Sequence, residues 1–486
     1  MLSSRQVTIP LFKLVRTPGA FAITEWLFLR ALGLVYLSAF ASLWPQILGL
    51  MGSRGVAPCA RLLEAMHSGL GAQAFYYAPS LFWLNPSDSM LIFLCVTGCL
   101  FSILLALNWF SRIATIGCFV LYLSLSSIGQ PFLSFQWDAL LLETGFLAIF
   151  SGAASIVWAY RLLLFRLMFE SGWVKLASHD PNWRNLHALR FHFMTQPLPN
   201  PIAYYVCRAP AGLLDTATAV TLAIELGAPF LLFCPGLLRR IGAGLLIALQ
   251  ILILLTGNYA FFNLLTLALC LWGFDARIFT PLSRALAWRF PRPSPFWRRD
   301  TFHIIGNIAV LVMIALGALQ LLNSVAPRTP FVTAKPLAWL QPFEIVNPYG
   351  LFAIMTTTRT EIVIEGSNDQ VNWREYEFPY KPGNRQRGLP WIAPYQPRLD
   401  WQMWFAALGD YQSNSWVGGL MYRILTGESS VLRLLDPPPF AQPPHYLRAL
   451  AYRYDFTTLD ERARTGAVWK RQLAGIWFGP VSLSGR

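Results

Sequence analysis

Four ionisable side chains between residues 170 and 192 have the types that acid–base chemistry requires: Glu170, Lys175, His187 and His192. An imidazole, or a lysine amine with a shifted pKa, can exchange a proton near neutral pH. A zinc site on a helix would instead place two histidines four residues apart, and this stretch lacks that spacing. The sequence therefore allows a membrane enzyme or lipid-handling site at the exterior face, and it predicts no metal and no cofactor.

The same stretch also has a purely structural interpretation. Trp173 and Trp183 have the amphipathic rings that settle at the headgroup level of a membrane. The histidines would then lie on short amphipathic turns outside the spanning helices. Because no carboxylate is spaced to orient either imidazole, the pattern favours this interpretation over a catalytic one.

A second distinctive group lies between residues 395 and 425, where aromatic rings alternate with a few charges. Tryptophan and tyrosine suit a contact platform, since each has a large apolar body and a polar tip. The alternative is that the rings only join a sheet to its helices. The residues predicted to bind a client or to organise the domain are Arg398, Asp400, Trp401, Trp404 and Asp410, together with Asn347, Tyr349 and Gly350 in the turn that opens the domain.

Several charged residues fall inside apolar runs, where an ionisable group is costly and suggests a function. They are Glu25, Arg30, Glu143 and Glu225. A transporter would use such groups, but the sequence has no clear pair of matching interrupted helices, so helix packing is the favoured role. Arg166 and Glu170 are four residues apart on one helix face and are expected to neutralise each other.

Composition places all these residues in a membrane protein. The chain of 486 residues is 55% hydrophobic and 13% charged, with a mean hydropathy of +0.45, whereas soluble domains average about 25% charged residues. Residues 327–486 form a third of the chain but hold 17 of its 38 Lys/Arg and 13 of its 24 Asp/Glu. We therefore predict a multi-pass transmembrane domain over 1–326 and a soluble domain over 327–486.

The net charge of +14 could suggest a nucleic-acid-binding protein. Many basic residues lie instead in short loops between apolar runs, as the positive-inside rule describes. The sequence therefore predicts membrane lipids as partners and argues against nucleic acid. Of the seven cysteines, only Cys59 and Cys207 lie outside apolar runs, and whether they pair stays open; residues 327–486 contain none.

Apolar runs of about 20 residues mark the candidate spanning helices. They are 26–50, 89–108, 113–129, 139–158, 215–234 and 302–322. Residues 241–273 are predicted to form two short spans hinged near Gly257 and Asn258. Residues 161–177 either span or lie in the interface, so the prediction is eight or nine helices.

Positive charge sets the predicted orientation. Arg239, Arg240 and the arginine-rich loop 277–299 are expected on the cytoplasmic side, which sends the chain after the last helix to the opposite side. The soluble domain would then be periplasmic in a bacterial inner membrane, or luminal in the endoplasmic reticulum membrane of a eukaryote. The short loops favour the bacterial location.

The soluble domain has the patterns of an α+β fold that is rich in strands. Residues 359–366 and 371–378 are predicted strands around a Ser-Asn-Asp turn, and 398–407 and 415–426 are predicted helices. The tail 447–471 is predicted to form a strand and then a basic amphipathic helix. The predicted fold class is thus a polytopic α-helical membrane protein with a C-terminal β-rich, sandwich-like α+β domain.

Longer stretches carry a resemblance. FEIVNPYGLFAIMTTTRTEIVIEGSND, WREYEFPYKPGN and RLDWQMWFAAL follow one another in the C-terminal part, and FRLMFESGWVKLASHDPNWRNLHALRFHFMTQPLPNPIAYY precedes them. Together they resemble the lipase maturation factor family over most of residues 160–435. IEGSNDQVNW is also similar to a strand-turn-strand of discoidin-type β-sandwiches, which supports the sandwich-like fold.

The family resemblance implies a membrane-anchored folding and assembly factor, not an enzyme, whose clients are exported proteins and specifically lipase-like ones. The soluble domain lacks the cysteines of animal members, so a thiol-based mechanism is not expected. A distant similarity of residues 175–198 to vitamin K-dependent carboxylases lacks the lysine base of those enzymes. The alternative function is a membrane enzyme or lipid-handling protein that uses the exterior site near Lys175 and His192.

Overall fold

The computed structural model describes residues 19–129, 131–279, 300–326 and 335–483. Two features of the sequence prediction lie outside these residues. One is most of the arginine-rich loop, from residue 280 to residue 299. The other is the start of the predicted soluble domain, which begins at residue 327. The described residues form a helical bundle followed by a domain built on one antiparallel sheet.

Nine helices form the bundle within the described part of the chain. They are α1 (Ala22–Leu43), α2 (Asp88–Ala106), α3 (Ser111–Ser126), α4 (Gln136–Ile149), α5 (Ile156–Ala177), α6 (Ala211–Leu231), α7 (Gly236–Thr256), α8 (Phe262–Cys270) and α9 (Asp300–Val325). Shorter helices connect them on the side of the C-terminal domain: Ile47–Met51, Cys59–Leu70, Ala74–Tyr77, Pro181–Arg184, Ala188–Thr195 and Pro201–Val206.

The chain is an integral membrane protein. Five segments are long and apolar enough to cross a bilayer: Gly19–Leu43, Asp88–Ala106, Ala211–Leu231, Gly236–Thr256 and His303–Val325. Apolar side chains on their outer faces are exposed, as Phe93 and Leu100 are on α2 and Ile308 is on α9. Such surfaces suit contact with lipid tails and would be unfavourable in water.

Two predicted spans end earlier than the apolar runs suggested. The run 26–50 is divided at Trp44, because Pro45 lacks the N–H that a continuous helix would use and its ring crowds the preceding turn. The run 139–158 is divided between α4 and α5, where Gly152 has a φ of +97° that side-chain-bearing residues rarely adopt. Hydropathy continues across both breaks, which is why the prediction missed them.

The uncertain segment 161–177 belongs to a central helix of the bundle. Helix α5 has 22 residues, enough to reach about 33 Å, and it packs against α4, α6, α8 and α9. Arg166, Glu170 and Lys175 on this helix are all buried. The segment therefore does not lie flat at the bundle surface.

The C-terminal domain contains a four-stranded antiparallel sheet in the order β2-β1-β3-β4. Its strands are β1 (Arg359–Ser367), β2 (Arg374–Tyr376), β3 (Tyr446–Phe456) and β4 (Trp469–Val481). The two predicted strands correspond to β1 and β2, and the predicted tail strand to β3. The predicted basic helix in the tail is shorter than expected, and β4 was not predicted.

Two helices pack against this sheet, α10 (Arg398–Ala406) and α11 (Trp416–Leu425). The domain also has α12 (Leu459–Thr465), which connects β3 to β4, and shorter turns at Lys335–Leu340 and Ser429–Leu432. Helix α10 contacts β1, and α11 contacts β3. Helix α10 also touches the bundle, so it lies between the sheet and the membrane helices.

The two ends of the bundle differ in what they contact. At one end Arg239 and Arg240, near the start of α7, reach Asp275 at 3.1 Å. At the other end Asn258, just after α7, donates to Pro390 O of the C-terminal domain at 3.0 Å. The basic pair and the C-terminal domain therefore lie at opposite ends of the bundle.

Candidate functional site

Buried charged residues concentrate where the C-terminal domain meets the bundle. We call this contact the polar interface, and it consists of three clusters centred on Arg398, Arg166 and Arg359. Each arginine side chain is at most 2% exposed. Since a buried charge is stable only when it is paired and hydrogen-bonded, the three clusters fix how the two parts are joined.

The first cluster joins α10 to α4. Arg398 contacts both carboxylate oxygens of Asp138, with Nη2 2.9 Å from Oδ1 and Nη1 3.0 Å from Oδ2. Arg398 also donates to Phe132 O at 2.6 Å and to Tyr122 Oη at 3.1 Å. The planar guanidinium matches a carboxylate in this two-pronged arrangement, so Asp138 anchors the start of α10 to the membrane domain.

The second cluster fastens the turn that opens the domain. Arg166 donates to Glu143 Oε1 at 2.6 Å and also to the carbonyl of Asn347. Glu143 Oε2 accepts from the backbone N–H of Asn347 at 2.9 Å and from the Tyr349 hydroxyl at 2.8 Å. Glu170 Oε2 accepts from the Tyr349 N–H at 2.7 Å.

This arrangement revises the prediction for Arg166 and Glu170. Their closest N–O distance is 3.9 Å, so Glu143 is the nearer partner of the arginine. Glu143, for which the sequence favours a helix-packing role, belongs to the second cluster. Its carboxylate connects α4 to both α5 and the turn. Gly350 belongs to the same contact: a Cβ there would lie 2.9 Å from Cγ1 of Val174, so only glycine allows the close approach.

The third cluster lies on β1 and was not foreseen from the sequence. Arg359 Nε donates to Glu361 Oε1 at 2.8 Å, and Glu361 also lies 2.9 Å from Lys381 Nζ. The Arg359 guanidinium donates to the carbonyls of Met194 at 2.9 Å and Pro197 at 2.8 Å. A charged residue at the start of a strand is usually solvated, so the sequence offered no signal for this contact.

The two tryptophans of α10 do not form an exposed platform. Trp401 is buried against Trp137 of α4, with ring centroids 4.7 Å apart, and the Trp404 indole donates to Thr195 O at 2.9 Å. The two side chains are 2% and 7% exposed. Burial argues against a client-facing surface at these two rings and fits the other interpretation of the sequence, in which the rings join the sheet to its helices.

The two predicted aspartates have different surroundings. Asp400 is buried and accepts the backbone N–H groups of Tyr380 at 2.9 Å and Lys381 at 2.8 Å. Burial raises its pKa to about 6, and the two hydrogen bonds oppose that rise. Asp410 is exposed and accepts from the Ser413 N–H at 2.9 Å, so it stabilises a turn.

The proposed chemical residues of the exterior face are held in separate contacts. Lys175 Nζ lies 2.6 Å from both carboxylate oxygens of Glu225, and its charge also lies 5.1 Å from the Trp183 ring centroid. His192 Nε2 is 3.1 Å from Tyr259 Oη. Burial, with a contribution from the Lys175 charge, lowers the His192 pKa to about 4.

The other two residues of the predicted exterior site, Glu170 and His187, also have contacts of their own. Glu170 belongs to the second cluster, and His187 precedes the short helix Ala188–Thr195, where its N–H donates to Asn182 O at 2.7 Å. In the described residues no group of three His, Cys, Asp or Glu side chains could hold a metal ion. The structure thus places the four residues of the predicted exterior site in different contacts and does not bring them together as one group.

The cysteines bear on how the parts are joined. All seven are free thiols, and burial raises the pKa of the Cys59 thiol to about 11. Cys207 lies beside Arg208, whose Nη1 is 3.4 Å from its Sγ. Cys59 and Cys207 are therefore not paired, and the contact between the two parts described here consists of ion pairs, hydrogen bonds and packing.

Two family models match the chain on either side of the polar interface. The model described as the lipase maturation factor transmembrane domain matches residues 23–281. The model described as the lipase maturation factor C-terminal domain matches residues 345–479. The three clusters use residues from both matched regions.

Whole proteins are similar over nearly the full length. The chain is 33% identical to lipase maturation factor 1 of Mus musculus, an alignment that covers 96% of this chain and 88% of the relative. It is 32% identical to lipase maturation factor 2 of Xenopus tropicalis, covering 94% and 82%. No solved structure matches the chain.

Proposed function

Because the chain belongs to the lipase maturation factor family, we propose that it is a membrane-anchored maturation factor that assists the folding and assembly of exported proteins. Lipases are the proposed clients, since the relatives are named for their maturation. The observation that carries the proposal is the similarity across both parts of the chain, which includes the bundle, the sheet domain and the residues that join them.

The proposed role does not involve catalysis by the chain itself. The candidates for acid–base chemistry support this, because Lys175 is held in a buried ion pair with Glu225 and His192 contacts Tyr259. A folding factor instead needs a stable platform and an accessible surface for its client. The polar interface supplies the platform by fixing the sheet domain against the bundle.

We also propose that the sheet domain faces the exported client. With Arg239 and Arg240 on the cytoplasmic side, the C-terminal domain lies on the exterior side, which is the periplasm if the membrane is a bacterial inner membrane. A cysteine introduced at the exposed Val371 should then react with an impermeant maleimide added to intact spheroplasts. Protection of that cysteine until the membrane is opened would contradict this orientation.

The function is tested by the specific activity of an exported lipase. Cells that lack this chain should secrete lipase antigen with strongly reduced activity per molecule, and re-expression of the chain should restore that activity. The control is a cytoplasmic enzyme of the same cells, whose specific activity should not change. Unchanged activity per molecule of all exported lipases would contradict the proposal.

A further inference from the structure

Strand β4 is an edge strand with an unusual degree of exposure. It is the last strand in the sheet order, and within the described residues no further strand lies on its outer side. Of its 13 residues only Trp469 is buried. The Trp469 N–H lies 3.3 Å from Arg385 O, so the free edge begins after this residue.

The exposed side chains in the middle of β4 are apolar. Leu473 is 55% exposed and Ile476 is 71% exposed. Leu473 pairs with Tyr452, Gly475 with Ala451 and Ile476 with Leu450, so Ala474 is an additional residue in β4. This bulge places Leu473 and Ile476 on the same face of the sheet, because their partners Tyr452 and Leu450 are two residues apart.

Proteins usually protect such an edge. A free edge offers unpaired backbone N–H and C=O groups, and most are kept short, charged or covered. The opposite edge of this sheet follows that pattern, since β2 has three residues and includes Arg374 and Glu375. The stretch from Gln472 to Val481 in β4 carries no charged residue, so the bulge and Pro480 are its main protection.

We propose that the β4 edge from Lys470 to Ile476 docks an extended apolar segment of the client polypeptide, which joins the sheet as a fifth strand. This inference rests on the proposed maturation function and adds the mode of binding. Backbone hydrogen bonds would supply affinity that is largely independent of client sequence, and Leu473 and Ile476 would select apolar side chains. An incompletely folded chain offers such segments, whereas a folded chain buries them.

Charge indicates which kind of strand fits beside β4. Lys470 and Arg471 are its two cations, and the strand contains no acidic residue. Arg471 Nη1 donates to Glu375 Oε2 of β2 at 2.9 Å, so Lys470, which is 55% exposed and 3.8 Å from Glu461, is the cation that an incoming strand meets. A second copy of β4 has no acidic residue to place beside Lys470, whereas an antiparallel client segment with an acidic residue near its C-terminal end would place that residue there.

The binding test uses the full chain in lipid nanodiscs and a labelled nine-residue peptide. The peptide alternates Val and Thr and has two Glu residues at its C-terminal end. We expect saturable binding and slower amide hydrogen exchange from Lys470 to Ile476 when it is bound. Methylation of alternate peptide nitrogens should abolish binding, because it removes the donors that pair with the edge.

Two matched variants locate the site. Ile476→Lys should weaken peptide binding about tenfold, since it places a charge beside the incoming apolar side chains. Val371→Lys changes an equally exposed apolar residue on the loop before β2, and it should bind like the unchanged chain. Equal binding by both variants, or slowed exchange elsewhere in the chain, would overturn the proposal.

The remaining outcomes separate the binding mode from the function. Dimers that form in the unchanged chain and are lost in Ile476→Lys would show that a second copy occupies the edge, which would also overturn the proposal. If the chain restores lipase activity and Ile476→Lys restores it equally well, the result supports the maturation function and contradicts the proposed β4 site. If deletion of the chain leaves lipase activity unchanged, the proposed maturation function is contradicted. The peptide result still decides whether β4 binds extended segments.

Discussion

At the scale of single residues, the pair of Arg398 and Asp138 gives the clearest prediction. Asp138→Asn would leave the buried guanidinium without a counter-charge, and breaking such a pair costs about 3–5 kcal/mol of unfolding free energy. Thermal and denaturant unfolding of the detergent-purified protein measures this loss. As a control, Asp215→Asn removes one partner of the more exposed pair with Arg190 and should change stability little.

The double variant Arg398→Met with Asp138→Leu tests whether the charges themselves are needed. Apolar replacement of a buried ion pair is often tolerated, so this variant should lose less stability than Asp138→Asn alone. A larger loss would show that the hydrogen bonds to Phe132 and Tyr122 contribute more than the charge pairing.

Asp400 should make stability depend on pH. Its pKa is about 6 in the folded protein, against an ordinary value of 3.8, so the folded state binds the proton more tightly than the unfolded state. This group's contribution to unfolding free energy should therefore fall as the pH rises from about 4 to about 6. Asp400→Asn keeps an acceptor for the N–H groups of Tyr380 and Lys381 and should flatten that part of the pH profile.

A difference profile checks this prediction. The melting temperature of the unchanged chain minus that of Asp400→Asn is measured from pH 4 to pH 7. The difference should become smaller or more negative as the pH rises through that window. A difference that stays constant would mean that Asp400 does not titrate there.

At the scale of elements, α10 is the packing layer between bundle and sheet. Trp404→Ala should cost about 3–5 kcal/mol, as large core truncations do, and should lower the abundance of the chain together with the yield of active client. An immunoblot of the chain and the activity of the secreted lipase measure this. Phe405→Ala, at a position 42% exposed, is the neighbouring control. A fall in client activity while the chain stays abundant would instead indicate that Trp404 contacts clients directly.

The sequence was informative about elements whose pattern is local. The apolar runs predicted most bundle helices, and alternation with a Ser-Asn-Asp turn predicted β1 and β2. Strand β4 was missed because Gly475, Gly479 and Pro480 disfavour a strand locally, while its pairing with β3 is a tertiary interaction. Helix α10 was predicted, but its burial on both sides could not be, since that depends on Trp137 and Thr195.

The candidate site was predictable only in its residue types. Arg398 and Trp401 were singled out, yet their partners Asp138 and Trp137 lie far away in the chain; Arg398 and Asp138 are 260 residues apart. Neither Asp138 nor Arg359 was among the residues predicted for the site. A single sequence contains no information that pairs such distant charges.

At the scale of the whole molecule, the buried arginines predict that the sheet domain is not independent. A fragment of residues 335–483 would expose Trp401 and leave Arg398 and Arg359 without Asp138 and the carbonyls near residue 196. Expressed alone, it should aggregate or lack fixed packing, which sedimentation and the dispersion of its NMR spectrum will show. A monomeric fragment with a cooperative thermal transition would contradict this.

The polar partners are far apart in the sequence, so one of each pair is synthesised well before the other. Ribosomes add about 5–20 residues per second, so Asp138 waits about 10–50 s before Arg398 has been made, and Glu143 waits nearly as long for Tyr349. During that interval Glu143 already has Arg166 of the membrane domain as its partner, whereas the arginine that pairs with Asp138 in the folded protein has not yet been made. For that time this maturation factor resembles the unfinished chains it is proposed to assist, because a side chain of its bundle awaits the partner that it has in the folded protein.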